Sequence, residues 1–182
     1  MHLGLPLDME AVLLIECDGS DLETVQREID QIEVICQSCG ADKVSIAKDE
    51  NERTQLWKAR RSVSPALARM SPNKLGEDIT VPREAIPEAI RRLKKLSSEM
   101  DLPIVIFGHA GDGNLHPNIL FDKRDPQQWA RVEQTVAAEF QIALDLGGTL
   151  SGEHGVGILK RPYIQNALGK VSIDLQKGIK KT

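Results

Sequence analysis

Two short apolar runs, Pro103 to Phe107 (PIVIF) and Pro117 to Phe121 (PNILF), flank the glycine-rich stretch between them. Each run is too short for a helix, and the link is too short for the crossover that parallel strands require, so the pair predicts an antiparallel hairpin. That hairpin decides how the remaining elements are read. Apolar periodicity predicts helices over Asp21 to Cys39, Glu52 to Met70 (broken near Pro65), Arg83 to Met100 and Gln127 to Leu146, the last stopped by Gly147-Gly148, and a helical end over Ser172 to Thr182. Short strands are expected at Ala11 to Glu16, Val44 to Ala47 and Ile79 to Val81. The order alone would permit a parallel α/β sheet. The hairpin favours α+β, a mainly antiparallel sheet with helices packed on it, in a split βαβ or ferredoxin-like layout.

The 182 residues suffice for one domain or two small lobes, and a chain of this length buries about 70% of its unfolded surface. A net charge of −4 and only 3% aromatic residues argue against nucleic acid as a partner, which needs a basic face or stacking rings. With no long apolar run and no signal-like start, the chain reads as cytoplasmic. The first strand-like run begins almost at once and the final helical segment stops at Lys180-Lys181-Thr182 without a Gly or Pro terminator, a pattern expected of a fragment. Cys17, Cys36 and Cys39 are an odd set, and the single C-x-x-C at Cys36 and Cys39 closes a helical pattern instead of opening one. Ordinary buried or half-buried thiols are expected there, with redox or zinc chemistry as the alternative.

The chemistry is concentrated in two stretches, Gly108 to His116 (GHAGDGNLH) and Gly147 to Gly157 (GGTLSGEHGVG), which hold three of the four histidines and eight of the fourteen glycines. Glycine accumulates where the backbone takes positive φ or approaches a ligand, so both read as site loops. A four-residue turn over Gly111 to Asn114 would set Ala110 opposite Leu115 and His109 opposite His116. The two imidazoles would then share a face at the separation that chelates one cation. Glu153 offers a third ligand, completing a His, His, Glu set with an open position, as catalytic sites have. Zinc is the default, with manganese or iron as alternatives. His154 is left for proton work, and a nearby cation favours its neutral, accepting form. Asp112 and Asn114 read as turn formers in preference to ligands. The competing reading makes these histidines satisfied structural residues. No G-x-G-x-x-G, P-loop or H-E-x-x-H pattern is present.

These two stretches closely resemble the C-terminal half of the FAD-linked 2-hydroxy-acid oxidoreductases, the group of glycolate oxidase flavin subunits and of D-lactate and D-2-hydroxyglutarate dehydrogenases. Leu56-Trp-Lys-Ala-Arg60-Arg61, Ser64-Pro-Ala and Glu77-Asp-Ile-Thr-Val-Pro82 follow the same order, so the likeness covers nearly the whole chain. It implies a substrate-facing cap domain over residues 1–182, with ferredoxin-like halves, whose partner is a vanillyl-alcohol-oxidase-type FAD-binding domain absent from this sequence. By motif, His109, His116 and Glu153 would hold the metal, His154 would take the substrate hydroxyl proton, and Arg60 would grip the substrate carboxylate with its planar fork. Arg61 is the register alternative for that task, and the bland reading leaves both as solvated helix charges. The implied reaction turns a 2-hydroxy acid of the glycolate or D-lactate class into the 2-oxo acid by hydride transfer to flavin. The chain alone is then expected to be inactive. An electron-accepting subunit, and peripheral contact with the inner membrane through partner subunits, would follow. A flavin-independent metal hydrolase and a non-catalytic assembly module are the readings from other classes.

Overall fold

The computed structural model describes residues 9–181, and the chain divides into two compact units, Met1–Ala66 and Leu67–Thr182. In the first unit, α1 (Leu22–Ser38) starts where the Asp21 carboxylate accepts the Thr24 N–H at 3.0 Å. It ends in Gly40 at φ +86°, with the Ala41 N–H returning to the Cys36 carbonyl. Helix α2 (Glu50–Met70) continues through Pro65, where the sequence predicted a break, and the division between units falls one residue later. The strands expected at Ala11 to Glu16 and Val44 to Ala47 do not form. Their apolar residues find no ladder partner among the described residues, and Val12 to Ile15 stay exposed. A strand is stable only as part of a sheet, so a local apolar run is not enough.

The second unit carries an antiparallel sheet of β1 (Asn73–Gly76), β2 (Ile79–Thr80), β3 (Ile104–His109) and β4 (Asn114–Phe121). Strand β4 is central. One edge takes β3; the other takes β1 and β2 in a single register, from Asn73 opposite Phe121 to Thr80 opposite Asn114. The bonds Glu77 N–H to Pro117 O and Val81 N–H to Gly113 O keep the same pairing, so residues 73–81 act as one strand interrupted at Glu77-Asp78. Strand β1 was not anticipated, because Asn-Lys-Leu-Gly lacks the β-branched and aromatic residues that signal a strand.

Helices α3 (Ile86–Met100) and α4 (Pro126–Asp145) pack on one face of this sheet. Helix α3 opens with Pro87 in its first turn and buries Ala89, Leu93 and Leu96. Helix α4 is capped by Asp125 and buries Val132, Val136, Phe140 and Ala143 at helical spacing. These side chains meet Ile79, Leu115, Ile119 and Phe121 in one core. Helix α5 (Ile164–Ile179) begins earlier than the sequence suggested and is kinked at Gly169 (φ +74°); Thr182, the end of the predicted segment, lies outside the described residues. The architecture is α+β, helices on a small antiparallel sheet.

Removing a buried side chain leaves a void that neighbours fill only in part. Leu93→Ala is expected to lower the unfolding free energy by about 3 kcal/mol in urea titration, whereas exposed Leu22→Ala should stay within about 0.5 kcal/mol. A Leu93→Ala variant as stable as the parent would contradict this core.

Candidate active site

Period-two alternation along β4 separates core from site. Leu115, Ile119 and Phe121 face the helices, so Asn114, His116 and Asn118 face the other way. Across the ladders, His109 is paired with Asn114, Phe107 with His116 and Thr80 with Asn114, which brings all of them to that second face. The register of residues 73–81 sets Asp78 opposite His116.

The hairpin has its turn one residue earlier than expected, which shifts the strand register by two. Its turn is Ala110 to Gly113, a short 3₁₀ turn closed by Gly113 at φ +72°. A Cβ on Gly113 would stand 2.0 Å from the Val81 carbonyl oxygen, so this position is reserved for glycine. Asn114 therefore opens β4 as a buried strand residue instead of forming the turn, and His109 and His116 are diagonal instead of directly opposed. A shift of two preserves the face, and the two rings still meet edge to face at 5.3 Å between centroids.

The second glycine stretch extends this face along the free edge of strand 73–81. In an antiparallel ladder alternate residues turn their N–H and C=O away from the partner strand, and Thr80 and Asp78 are such residues here. Thr80 exchanges both backbone bonds with Thr149, at 3.0 and 2.8 Å, and the Asp78 carbonyl accepts Lys160 Nζ at 2.9 Å. Gly152 lies where a Cβ would collide with the Asn114 amide and the Thr80 hydroxyl. Beyond it the chain wraps the Asp78 carboxylate. Asp78 Oδ2 accepts three successive backbone N–H groups, from Gly152 (2.7 Å), Glu153 (2.6 Å) and His154 (3.0 Å). The Ser151 hydroxyl lies 3.3 Å from each carboxylate oxygen, and Lys160 Nζ is bonded to Oδ1.

Held this way, the loop delivers its side chains to the histidines. Glu153 Oε1 is 3.1 Å from His116 Nε2 and 3.7 Å from His109 Nε2. The His154 ring stacks on His116 at 5.2 Å, its Nδ1 lies 3.6 Å from Asp78 Oδ1, and its Nε2 is 3.8 Å from Glu153 Oε1. A cleft of about 340 Å³ opens here, lined by Thr80, His109, Asp112, Asn114, Gly152 and Glu153. Thr80 Oγ1 and Asn114 Oδ1 are buried without a hydrogen-bond partner, as is His116 Nδ1.

His109, His116 and Glu153 each offer one ligand atom, all within 4.8 Å of one another. Metal bonds of 2.0 to 2.1 Å in tetrahedral geometry hold ligand atoms about 3.3 Å apart, close to the 3.1 and 3.7 Å found here. Two imidazoles and a carboxylate suit zinc, manganese or iron, so the side chains present fit a divalent cation. Arg60 stands half-buried on α2 in the first unit, and Arg61 is exposed beside it. Cys17, Cys36 and Cys39 are free thiols, and Cys39 is exposed instead of buried.

Asp78 and Lys160 were not singled out from the sequence as site residues. The available signal was a Glu-Asp pair directly before the strand-forming Ile79-Thr80-Val81, an unusual place for two carboxylates. Burial pushes the Asp78 carboxyl up, but the N–H bonds of His154 and Glu153 and the Lys160 ammonium outweigh it and bring the pKa down to about 2. Burial raises Glu77, against the pull of Lys160 3.5 Å away. Burial also holds Glu139 well above the carboxylate range, with both oxygens unpartnered. His116 is lowered, chiefly by burial, which keeps a lone pair available for a ligand bond.

Two pH windows follow. The unfolded chain protonates His116 before the folded one does, so this part of the stability is present above pH about 6.5 and lost as pH falls below it. For Asp78, the drop from 3.8 to about 2 corresponds to about 2 kcal/mol, present above pH about 4 and lost toward pH 2. In the upper window the buried Glu77 and Glu139, both raised, act in the opposite sense to His116, so the lower window is the test. Urea titrations from about pH 5 to pH 2 should show a decline that Asp78→Asn makes smaller. Stability that is level through the lower window would contradict the charged nest.

Residues 1–182 match the family model described as FAD linked oxidases, C-terminal domain. The chain is 46% identical over 178 residues to the glycolate oxidase subunit GlcD of Bacillus subtilis, covering 98% of this chain and 38% of that protein. It is 40% identical over 157 residues to the GlcD subunit of Escherichia coli K12, covering 86% of this chain and 31% of that protein. It is 33% identical over 174 residues to D-lactate dehydrogenase [cytochrome] 1, mitochondrial, of Saccharomyces cerevisiae, covering 92% of this chain and 29% of that protein. The chain thus spans between 29% and 38% of the length of these relatives. With a family match over its full length, the chain belongs to the C-terminal domains of FAD-linked oxidases.

Proposed function

We propose that this domain is the substrate- and metal-binding cap of an FAD-dependent 2-hydroxy-acid oxidoreductase of the glycolate or D-lactate class. The observation that carries the reading is the convergence of His109, His116 and Glu153 within 4.8 Å, beside His154, in a chain of this family. His109, His116 and Glu153 hold a divalent cation, zinc first, with manganese or iron as alternatives. When bound, the cation lowers the pKa of an α-hydroxyl and the flavin accepts hydride from the α-carbon. His154 takes the hydroxyl proton at Nε2, the ring nitrogen on the side of the Glu153 carboxylate. Arg60 grips the substrate carboxylate, a task suited to its two parallel N–H bonds. The cleft lined by Thr80, His109 and Asn114 has the polar character a small hydroxy acid needs.

FAD itself belongs to a domain of the parent protein outside this sequence. The names "subunit GlcD" and "dehydrogenase [cytochrome]" among the relatives support an electron-accepting partner. Cytoplasmic location, with inner-membrane contact through such subunits, is part of the same proposal.

The test is anaerobic reduction of flavin in the intact parent protein, followed after mixing with glycolate or D-lactate. His154→Ala should slow reduction by about 10² to 10⁴-fold while metal content is retained, the range for loss of a general base. His116→Ala should lose the metal, and chelation should abolish reduction until zinc or manganese is restored. Reduction at the parental rate by His154→Ala would refute the base assignment.

A further inference from the structure

Glu153 and His154, which would bind cation and proton, sit on a loop that has little reason of its own to hold its shape. Residues 151–157 form no helix or strand, and the Glu153 and His154 side chains are about half exposed. Their neighbours His109 and His116, by contrast, are fixed by the β3 and β4 ladder. Two independent segments must therefore be registered against each other to within hydrogen-bonding precision.

We propose that Asp78, with Lys160 as its counter-ion, is the positioning residue of this site: its buried carboxylate sets the backbone at 152–154 so that Glu153 and His154 meet His109 and His116. This rests on the functional reading above and deepens it. Asp78 is fully buried, stands opposite His116 in the strand register, and receives the N–H groups of the very residues whose side chains face the histidines. Three N–H groups on one carboxylate oxygen fix the peptide planes on both sides of Glu153, and with them the direction of its side chain. A carboxylate taken out of water needs a compensating charge, and Lys160 supplies it, bonded to Oδ1 and also to the Asp78 carbonyl at 2.9 Å. Lys160 is itself buried, 3.5 Å from Glu77 and 5.8 Å from the Phe140 ring, so it is anchored from the core side. Ser151 adds a second tie, its hydroxyl reaching toward Asp78 while accepting the Gly155 N–H at 2.8 Å. Because Asp78 holds residues 152–154 through their backbone N–H groups, its effect reaches the site through geometry and not through substrate contact.

The experiment uses the intact parent protein and reads two quantities. Hydrogen exchange of the amides at 152–154, followed by mass spectrometry, should accelerate at least about tenfold in Asp78→Asn, the loss expected for bonds to a charged acceptor. Manganese affinity, measured from the free-ion resonance signal, should fall about tenfold or more, as for other supports of metal ligands. A core variant of matched stability loss, Leu93→Val, should change neither, which separates positioning from general destabilisation. If Asp78→Asn does not fold, Ser151→Ala removes one tie and keeps the carboxylate, and should accelerate the same amides by about threefold. Unchanged exchange at 152–154 in either folded variant overturns the proposal, as does parental manganese affinity in Asp78→Asn. If the parent protein itself binds neither manganese nor zinc, the metal reading fails, and exchange at 152–154 alone decides the positioning role.

Discussion

The buried carboxylate of Asp78 is the interaction on which the rest of the second unit's functional face depends. Ionised and without exposure, it would be untenable unless matched by donors. It is matched by three backbone N–H groups, a lysine ammonium and a hydroxyl, all from residues 73 to 82 positions later in the chain. One anion thus ties strand 73–81 to the glycine loop and to Lys160. The glycines of the loop serve the same end: Gly148 and Gly152 let the chain approach the strand edge where any side chain would collide.

The pleat of β4 then assigns tasks. Its odd-numbered residues build the core with α3 and α4; its even-numbered residues carry Asn114, His116 and Asn118. The division explains why a histidine within a wholly buried strand is compatible with a stable fold, since the ring leaves the core face to Leu115 and Ile119. It also explains why a two-residue difference in the hairpin register left the candidate site intact. An odd-numbered slip would have put the two imidazoles on opposite faces.

What could be read from the residues was the local pattern: the α+β class, helices α1, α3 and α4, the hairpin, and the grouping of His109, His116, Glu153 and His154. These depend on periodicity and on glycine placement, which are written locally. Strands at Ala11 to Glu16 and Val44 to Ala47 were misread because pairing is a property of the neighbour, not of the run. The Asp78 nest and Lys160 were missed for a similar reason, since their partners are 74 to 82 residues apart and backbone donors leave no letter in the sequence. Glu139 is another case. Its place on the buried face of α4 breaks the amphipathic pattern, and nothing local signals a carboxyl whose pKa burial and Glu77 push up.

The central claim is that strand pleat and carboxylate nest together bring two imidazoles and one carboxylate to a common point. Anomalous diffraction at the zinc or manganese edge, from crystals of the intact parent protein grown with saturating metal, addresses it most directly. The account predicts one strong peak about 2.0 to 2.2 Å from His109 Nε2, His116 Nε2 and a Glu153 oxygen. An empty cluster, or a peak bound elsewhere in this domain, would contradict it.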